Sequence, residues 1–292
     1  MSAFRLILAE KDNYPVAMMC RVLGVSRSGF YAWCVRPMSA HDKEDEHLVK
    51  EITAIHMASR ETYGNRRVRC ALRKRDFCIS LKRVARLRAK EGIVVKRKRH
   101  YKTTTKSIAA HPVADNLLTR SFDSPRPNAA WVTDVTYVWT LEGWIYLAAI
   151  IDLCSRRVVG WSTSASNDAA LAIDALRRAV TARRPASGWL HHSDRGSVYT
   201  SEEYRKEVAR WGGIASMSRK GNCWDNAVAE SFFATIKGEC LDLQRIYTRT
   251  QGVAHVRDYI DSFYNVRRLH STLGYESPIE FELKLFSSRQ AA

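Results

Sequence analysis

The sequence predicts an α/β protein: a mixed five-stranded sheet with flanking helices, preceded by an all-α, basic region. Three observations carry this prediction. Residues 1–110 hold 25 Lys and Arg against 10 Asp and Glu, a net of +15, whereas residues 111–292 hold 22 against 20, a net of +2. Three β-rich runs follow one another across residues 131–162. Beyond them, helical and strand patterns alternate, the signature of an α/β layer.

At 292 residues and 46% hydrophobic content, the chain can bury more than one core and is too apolar for disorder. Its net charge of +17 points to a polyanion, most simply nucleic acid. An evenly basic surface is excluded, because the excess belongs to the N-terminal third. The seven cysteines (20, 34, 70, 78, 154, 223, 240) form no C-x-x-C, which argues against a zinc site or disulfide framework. The longest apolar run, "WIYLAAIID" (144–152), is too short to span a bilayer, so a cytoplasmic protein without a membrane partner is expected.

In chain order, residues 14–34, "YPVAMMCRVLGVSRSGFYAWC", read as helix, tight turn, helix, with Ser26 as N-cap of the second. Residues 42–59 form an amphipathic helix that opens acidic, and 63–75, "YGNRRVRCALRKR", a strongly basic one. Ser80 can cap a third helix that closes at Gly92. Phosphate contacts are expected from Arg66, Arg67, Arg69, Arg73, Lys74 and Arg75, and from the basic run Lys96, Arg97, Lys98 and Arg99. The stretch 107–127, with three prolines and little charge, reads as a linker.

Strands are expected at 131–139, 144–152 and 156–162, forming an antiparallel meander. A helix (168–183), a strand (188–193), a helix (201–212) and a strand (214–218) follow. The crossover helix returns the fourth strand parallel, most simply beside the first. Trp131, Trp139 and Trp144 are expected in the core, and Asp152 as a turn residue.

Three acids stand out in that topology. Asp134 lies inside the first strand, where an acid is expensive to bury unless paired or bound to metal. Asp194 falls just past the fourth strand and Glu230 on the helix after the fifth. If the first and fourth strands are neighbours, Asp134 and Asp194 lie side by side near the carboxyl ends, where open sheets place ligands. Converging carboxylates repel one another and call for hard divalent cations, Mg²⁺ or Mn²⁺. Asp225, five residues before Glu230, is read with Asn222 as a helix cap.

The separation is Asp, 59 intervening residues, Asp, 35 intervening residues, Glu. It resembles the acid signature of retroviral integrases and DDE transposases. The words around it, "WVTDVTY", "HHSDRGSVYTS", "SRKGNCWDNAVAESFFATIKGE" and "YNVRRLHSTLGYESPIEF", resemble the downstream reading-frame product of the insertion-sequence-three family of bacterial transposases. "CRVLGVSRSGFYAW" and "YGNRRV" extend the likeness through nearly the whole chain.

The resemblance implies a ribonuclease H-like catalytic core at 128–240, preceded by a helix-turn-helix-like segment (1–36) and a basic helical DNA-binding domain (37–106), and followed by a C-terminal helical extension (241–292). It implies that Asp134, Asp194 and Glu230 are catalytic ligands of two Mg²⁺ or Mn²⁺ ions, with Asp134 bridging. Lys237, two helical turns after Glu230, would contact the DNA end. "GNCW" (221–224) is expected to be a mobile loop that brings Glu230 to the ions only on DNA. Implied partners are the element's terminal inverted repeats, target DNA, further copies of the chain on DNA, and the upstream reading-frame product. A frameshift fusion would supply a zipper that this chain lacks. Two alternatives compete. A DNA-binding regulator with an inactive core explains the basic third but not three intact carboxylates. A tyrosine recombinase built on His192 and Arg195 lacks a suitably placed tyrosine.

Overall fold

A computed structural model describes residues 3–35, 39–96, 114–118, 124–219 and 226–290. The chain forms two compact units, residues 1–52 and 53–292. In the first, α1 (Ala3–Glu10), α2 (Val16–Val22) and α3 (Arg27–Val35) close around Ile7, Cys20 and Phe30. The α2–α3 turn needs Gly24, whose φ of +67° an L side chain rarely adopts. Ser26 Oγ accepts the Gly29 N–H at 3.0 Å, as a cap should. The helix α4 (Ala40–Ala58) follows.

The larger unit contains α5 (Asn65–Arg73) and α6 (Leu81–Lys90), the latter capped by Ser80 Oγ on the Arg83 N–H. Its sheet comprises β1 (Ala130–Thr140), β2 (Gly143–Asp152), β3 (Val158–Ser164), β4 (Leu190–Ser193) and β5 (Ile214–Met217). The order is β3-β2-β1-β4-β5, antiparallel through the meander and parallel from β1 to β4 to β5. The fourth strand thus does lie beside the first. This is the mixed five-stranded, helix-flanked, ribonuclease H-like arrangement that the sequence implied.

Between the strands run α7 (Ala169–Arg183), the short α8 (Ser197–Thr200) and α9 (Glu202–Arg210). One sheet face, with Trp131, Ala148 and Ile150, packs on Leu171, Ala175, Leu176 and Ala179 of α7. Gly160 permits the approach: a Cβ there would stand 2.5 Å from the Ala175 carbonyl. The helices α10 (Ala227–Glu239) and α11 (Arg249–Arg257) pack on β1 and β2. Within 114–118, part of the expected linker, the Leu117 N–H reaches Ser216 Oγ of β5 at 3.0 Å and Leu118 is buried.

The C-terminal segment is a clamp. A π-helical stretch, Asp258–Tyr264, leads to Asn265, whose side chain bonds both the N–H and the carbonyl of Val158, each at 3.0 Å. On α12 (Pro278–Gln290), buried Glu282 accepts Ser155 Oγ, Arg157 and both terminal nitrogens of Arg183 at 2.7–2.9 Å. Tyr63, before α5, donates to the Arg267 carbonyl at 3.1 Å and accepts the Leu269 N–H at 2.7 Å. These bonds carry the "YGNRR" and "YNVRR" words.

One expectation fails here. Trp131 is 0% exposed, but Trp139 and Trp144 are 55% and 43% exposed and lie outside the core. They share the Trp131 face, but exposure returns toward the tip of the β1–β2 hairpin. Among the described residues no helix is long and apolar enough to cross a membrane.

Candidate active site

The acid of β1 is placed by strand register. Asp134 lies opposite Ala149, half-buried, and its Oδ1 accepts the N–H of Val135 at 2.7 Å. The parallel pairing with β4 runs to Val132 opposite His192. Counting two residues onward brings Asp134 level with Asp194, just past the carboxyl end of β4. Asp194 Oδ1 accepts the Gly196 N–H at 2.9 Å. Burial raises the Asp194 pKa, and that one backbone bond opposes the rise. A Cβ at Gly196 would stand 3.0 Å from Asp194 Oδ1, so a side chain there would push that carboxylate aside.

Tyr199 of α8 reports on both acids. Its hydroxyl is 3.2 Å from Thr133 Oγ1. Burial raises its pKa well above the ordinary phenol value, and Asp134, Tyr204 and Asp194 add to the rise. The phenol thus stays protonated in the field of both carboxylates. Nothing in the word "GSVYTS" gives Tyr199 a role; its only signal is its place shortly after Asp194.

Glu230 is the fourth residue of α10 and half-buried. The start of its helix is tied to β1 by Asn226 Nδ2, which donates to the Thr133 carbonyl at 3.2 Å, one residue before Asp134. Farther along α10, Lys237 Nζ lies 4.4 Å from the Tyr137 ring centroid, a cation–π contact with β1. The helix of Glu230 therefore runs along β1 between two anchors that bracket Asp134. Asn222, Asp225 and the "GNCW" stretch lie outside the described residues.

Among the described residues no group of three His, Cys, Asp or Glu side chains stands in a metal-holding arrangement. The structure brings Asp134 and Asp194 to one level and sets the helix of Glu230 beside them, but does not gather the three into a ligand set. The donors nevertheless suit a hard divalent cation. They are carboxylate oxygens, one within β1, one just past β4 and one on α10, and burial raises the Asp194 pKa with only a backbone N–H to oppose it.

The opposite end of α10 is saturated. Glu239 is 2% exposed and accepts Arg268 Nε and Nη2, each at 2.7 Å, and the Tyr259 hydroxyl at 2.8 Å. Arg67 Nη1 lies 3.7 Å away. Burial pushes the Glu239 carboxyl up, but Arg268, Tyr259 and Arg67 together hold it below its ordinary value. Burial then keeps His270 neutral, reinforced by Arg268, Arg67 and Arg156.

Other residues singled out by sequence fall as follows. Asp152 is 0% exposed and accepts the N–H groups of Asn128, Cys154 and Ser155, a turn role. His192 is 0% exposed and bonds the hydroxyls of Ser216 and Ser218 at 2.9 and 3.1 Å. Arg195 Nε donates to the Ser218 carbonyl at 2.7 Å, so neither half of the H-x-x-R pair is presented for recombinase chemistry. In the basic region Arg66, Arg73, Lys74 and Arg75 are exposed, with Lys74 paired to Glu280 at 2.6 Å. Arg67 and Arg69 are half-buried, and Arg67 Nε donates to the Leu269 carbonyl at 3.0 Å. Lys96 is exposed and pairs with Glu61 at 2.9 Å. Arg97, Lys98 and Arg99 lie outside the described residues.

An HTH-like domain family matches residues 43–101, and two integrase core domain families match 124–223 and 214–278. The chain is 43% identical over 266 residues to the uncharacterized 31 kDa protein of insertion element IS600 from Shigella sonnei, covering 91% of this chain and 98% of that one. It is 38% identical over 284 residues to transposase InsF of insertion sequence IS3A from Escherichia coli strain K12, covering 96% and 99%. Among solved structures, the simian T-cell lymphotropic virus intasome bound to the PP2A regulatory subunit B56 gamma aligns at 12% identity with TM-score 0.44, covering 70% of this chain and 67% of that one. The HTLV-2 integrase catalytic core domain in complex with magnesium aligns at 14% identity with TM-score 0.40, covering 54% and 98%.

Proposed function

Because the chain belongs to the IS3 family of insertion-sequence transposases, we propose that it is a metal-dependent polynucleotidyl transferase that cuts and joins DNA at the ends of a bacterial mobile element. The observation that carries the proposal is the parallel β1–β4 register, which sets Asp134 level with Asp194 beside the helix of Glu230. These three carboxylates would hold two Mg²⁺ or Mn²⁺ ions. When bound, such a pair activates the attacking oxygen and stabilises charge on the leaving oxygen of an in-line phosphoryl displacement.

The chain's own residues do the rest. The Gly196 N–H and the Val135 N–H orient Asp194 and Asp134 from the backbone. Asn226 fixes the root of the helix that presents Glu230. Lys237, steadied on Tyr137, offers its ammonium to a phosphate of the DNA end. The exposed arginines of α5 grip the duplex backbone without reading sequence. The order proposed is copy-out–paste-in. One element end is nicked, its 3′-hydroxyl attacks near the other end, and a circular intermediate is later inserted. Synapsis of two ends calls for more than one copy on DNA, and the upstream reading-frame product is the natural second partner.

The test uses the chain, alone and fused to its upstream frame, on duplexes carrying the element's inverted repeats. Asp134→Asn, Asp194→Asn and Glu230→Gln should each abolish Mg²⁺-dependent cleavage and joining while leaving end binding intact. Full activity in any of the three would sink the ligand assignment. A wild-type protein that binds ends and never cuts them would establish the regulator instead.

A further inference from the structure

One face of the β1–β2 hairpin changes character along its length. Near the middle of the sheet it carries Trp131, Ala148 and Ile150, packed against α7 and inaccessible. Toward the tip, the same face carries the cross-strand pairs Tyr137–Tyr146 and Trp139–Trp144. There Tyr137, Trp139 and Trp144 are 56%, 55% and 43% exposed. The Trp144 ring meets both neighbours edge-on, with centroids 5.1 Å from Tyr137 and 4.6 Å from Trp139. Large rings held together in water at a sheet surface mark a binding surface.

The charge around this ladder selects the occupant. Lys237 Nζ lies 4.4 Å from the Tyr137 centroid. Arg249 overhangs the hairpin turn, its Nη2 3.1 Å from where a Gly143 Cβ would stand. Glu142 is the acidic neighbour, and its Oε2 accepts the Arg249 N–H at 2.8 Å. Tyr137 is three residues along β1 from Asp134, about 10 Å at strand rise, and strand alternation puts the two side chains on opposite faces of the sheet. The three rings expose on the order of 300 Å², well under the roughly 800 Å² per side of a stable protein interface.

We propose that this aromatic ladder is a stacking platform for unpaired DNA bases on the sheet face opposite Asp134, a proposal that rests on the transposase reading. Bases of any sequence present a flat π-face that stacks on indole and phenol rings, while Lys237 and Arg249 neutralise the phosphates that follow. A duplex end must open for one strand to enter a site at a sheet edge, and the platform holds the nucleotides so released.

Binding without cleavage isolates this role. Fluorescence anisotropy with a chelator present would compare three labelled probes: an oligo-dT strand, a blunt duplex, and that duplex with an unpaired dT tail. Trp139→Ala with Trp144→Ala should weaken the strand and the tailed duplex by at least about tenfold and leave the blunt duplex within about twofold. Trp139→Tyr with Trp144→Tyr, which keeps flat rings, should restore the difference, and thermal melting of both pairs should match wild type. An equal loss on all three probes, or no loss, overturns the platform. So does an alanine pair that changes only the oligomeric state in sedimentation without DNA, which would assign the patch to a second copy of the chain. Wild-type cleavage with Mg²⁺ is scored separately. A selective loss on unpaired probes from a protein that never cuts would keep the platform and sink the transposase reading.

Discussion

Two acids close two strands of one sheet and are treated in opposite ways. Asp152, at the end of β2, is 0% exposed and gathers three backbone N–H groups, the Trp131 indole at 3.2 Å and the Ser155 hydroxyl at 3.4 Å. Asp194, past β4, is half-buried and, among the described residues, its carboxylate accepts one backbone N–H, that of Gly196. Burial raises the pKa of both. In Asp152 the protein answers the lost hydration with its own donors, as buried polar groups require. In Asp194 most acceptor capacity stays open, which suits a ligand that brings positive charge. The helix α10 carries an enclosed carboxylate of the first kind, Glu239, held by Arg268, Tyr259 and Arg67.

The largest effects should split along that line. Asp194→Asn should take strand joining to background while the melting temperature stays within a few degrees of wild type, because it removes a poorly compensated charge. Collapse of the fold in that variant would erase the contrast. At the saturated end, Arg268→Leu should leave Glu239 buried with only the Tyr259 hydroxyl and the more distant Arg67 as partners, and cost about 3 kcal/mol in denaturant unfolding. An unchanged midpoint would show that the junction holds nothing together.

A middle-sized effect comes from His191 on β4, hydrogen-bonded to the Tyr204 hydroxyl at 2.6 Å. Burial first, then His192, pushes its pKa from 6.5 down to about 3. The unfolded chain therefore binds a proton that the native ring refuses through that window. Stability from this group should fall as pH drops below 6.5, by up to about 1.4 kcal/mol per pH unit. His191→Asn should flatten that slope in urea titrations run across the window, and an unaltered slope would place its origin elsewhere. The smallest effect on stability is expected from Gly196→Ala, at most about 1 kcal/mol. Its Cβ, 3.0 Å from Asp194 Oδ1, should displace that carboxylate and lower joining about tenfold. Wild-type joining in this variant would mean that Asp194 has room to spare.

Much of this was legible in residue order. Periodicity located the strands and helices of the sheet to within a few residues. The rule that a crossover helix returns a strand parallel put the fourth beside the first. The candidate acids were legible from spacing and their surrounding words. The clamp was not: Arg67 and Arg268 are 201 residues apart in sequence and meet around Glu239 only after the C-terminal segment folds back. Tyr199 was missed because nothing local to "SVYTS" says which carboxylates its hydroxyl will approach.

Trp131 and Trp139 mark the division most clearly. Sequence by itself determined that both lie on one face of one strand, because side chains alternate with period two. It also determined the basic N-terminal third and the order of strands and helices, all properties of near neighbours in the chain. Only the tertiary structure decided that Trp131 is inaccessible and Trp139 half in water. Burial depends on which part of a face another element covers, and α7 packs on the Trp131 part of this one. Periodicity reports the face a residue points to, and packing between distant segments decides whether that face is covered.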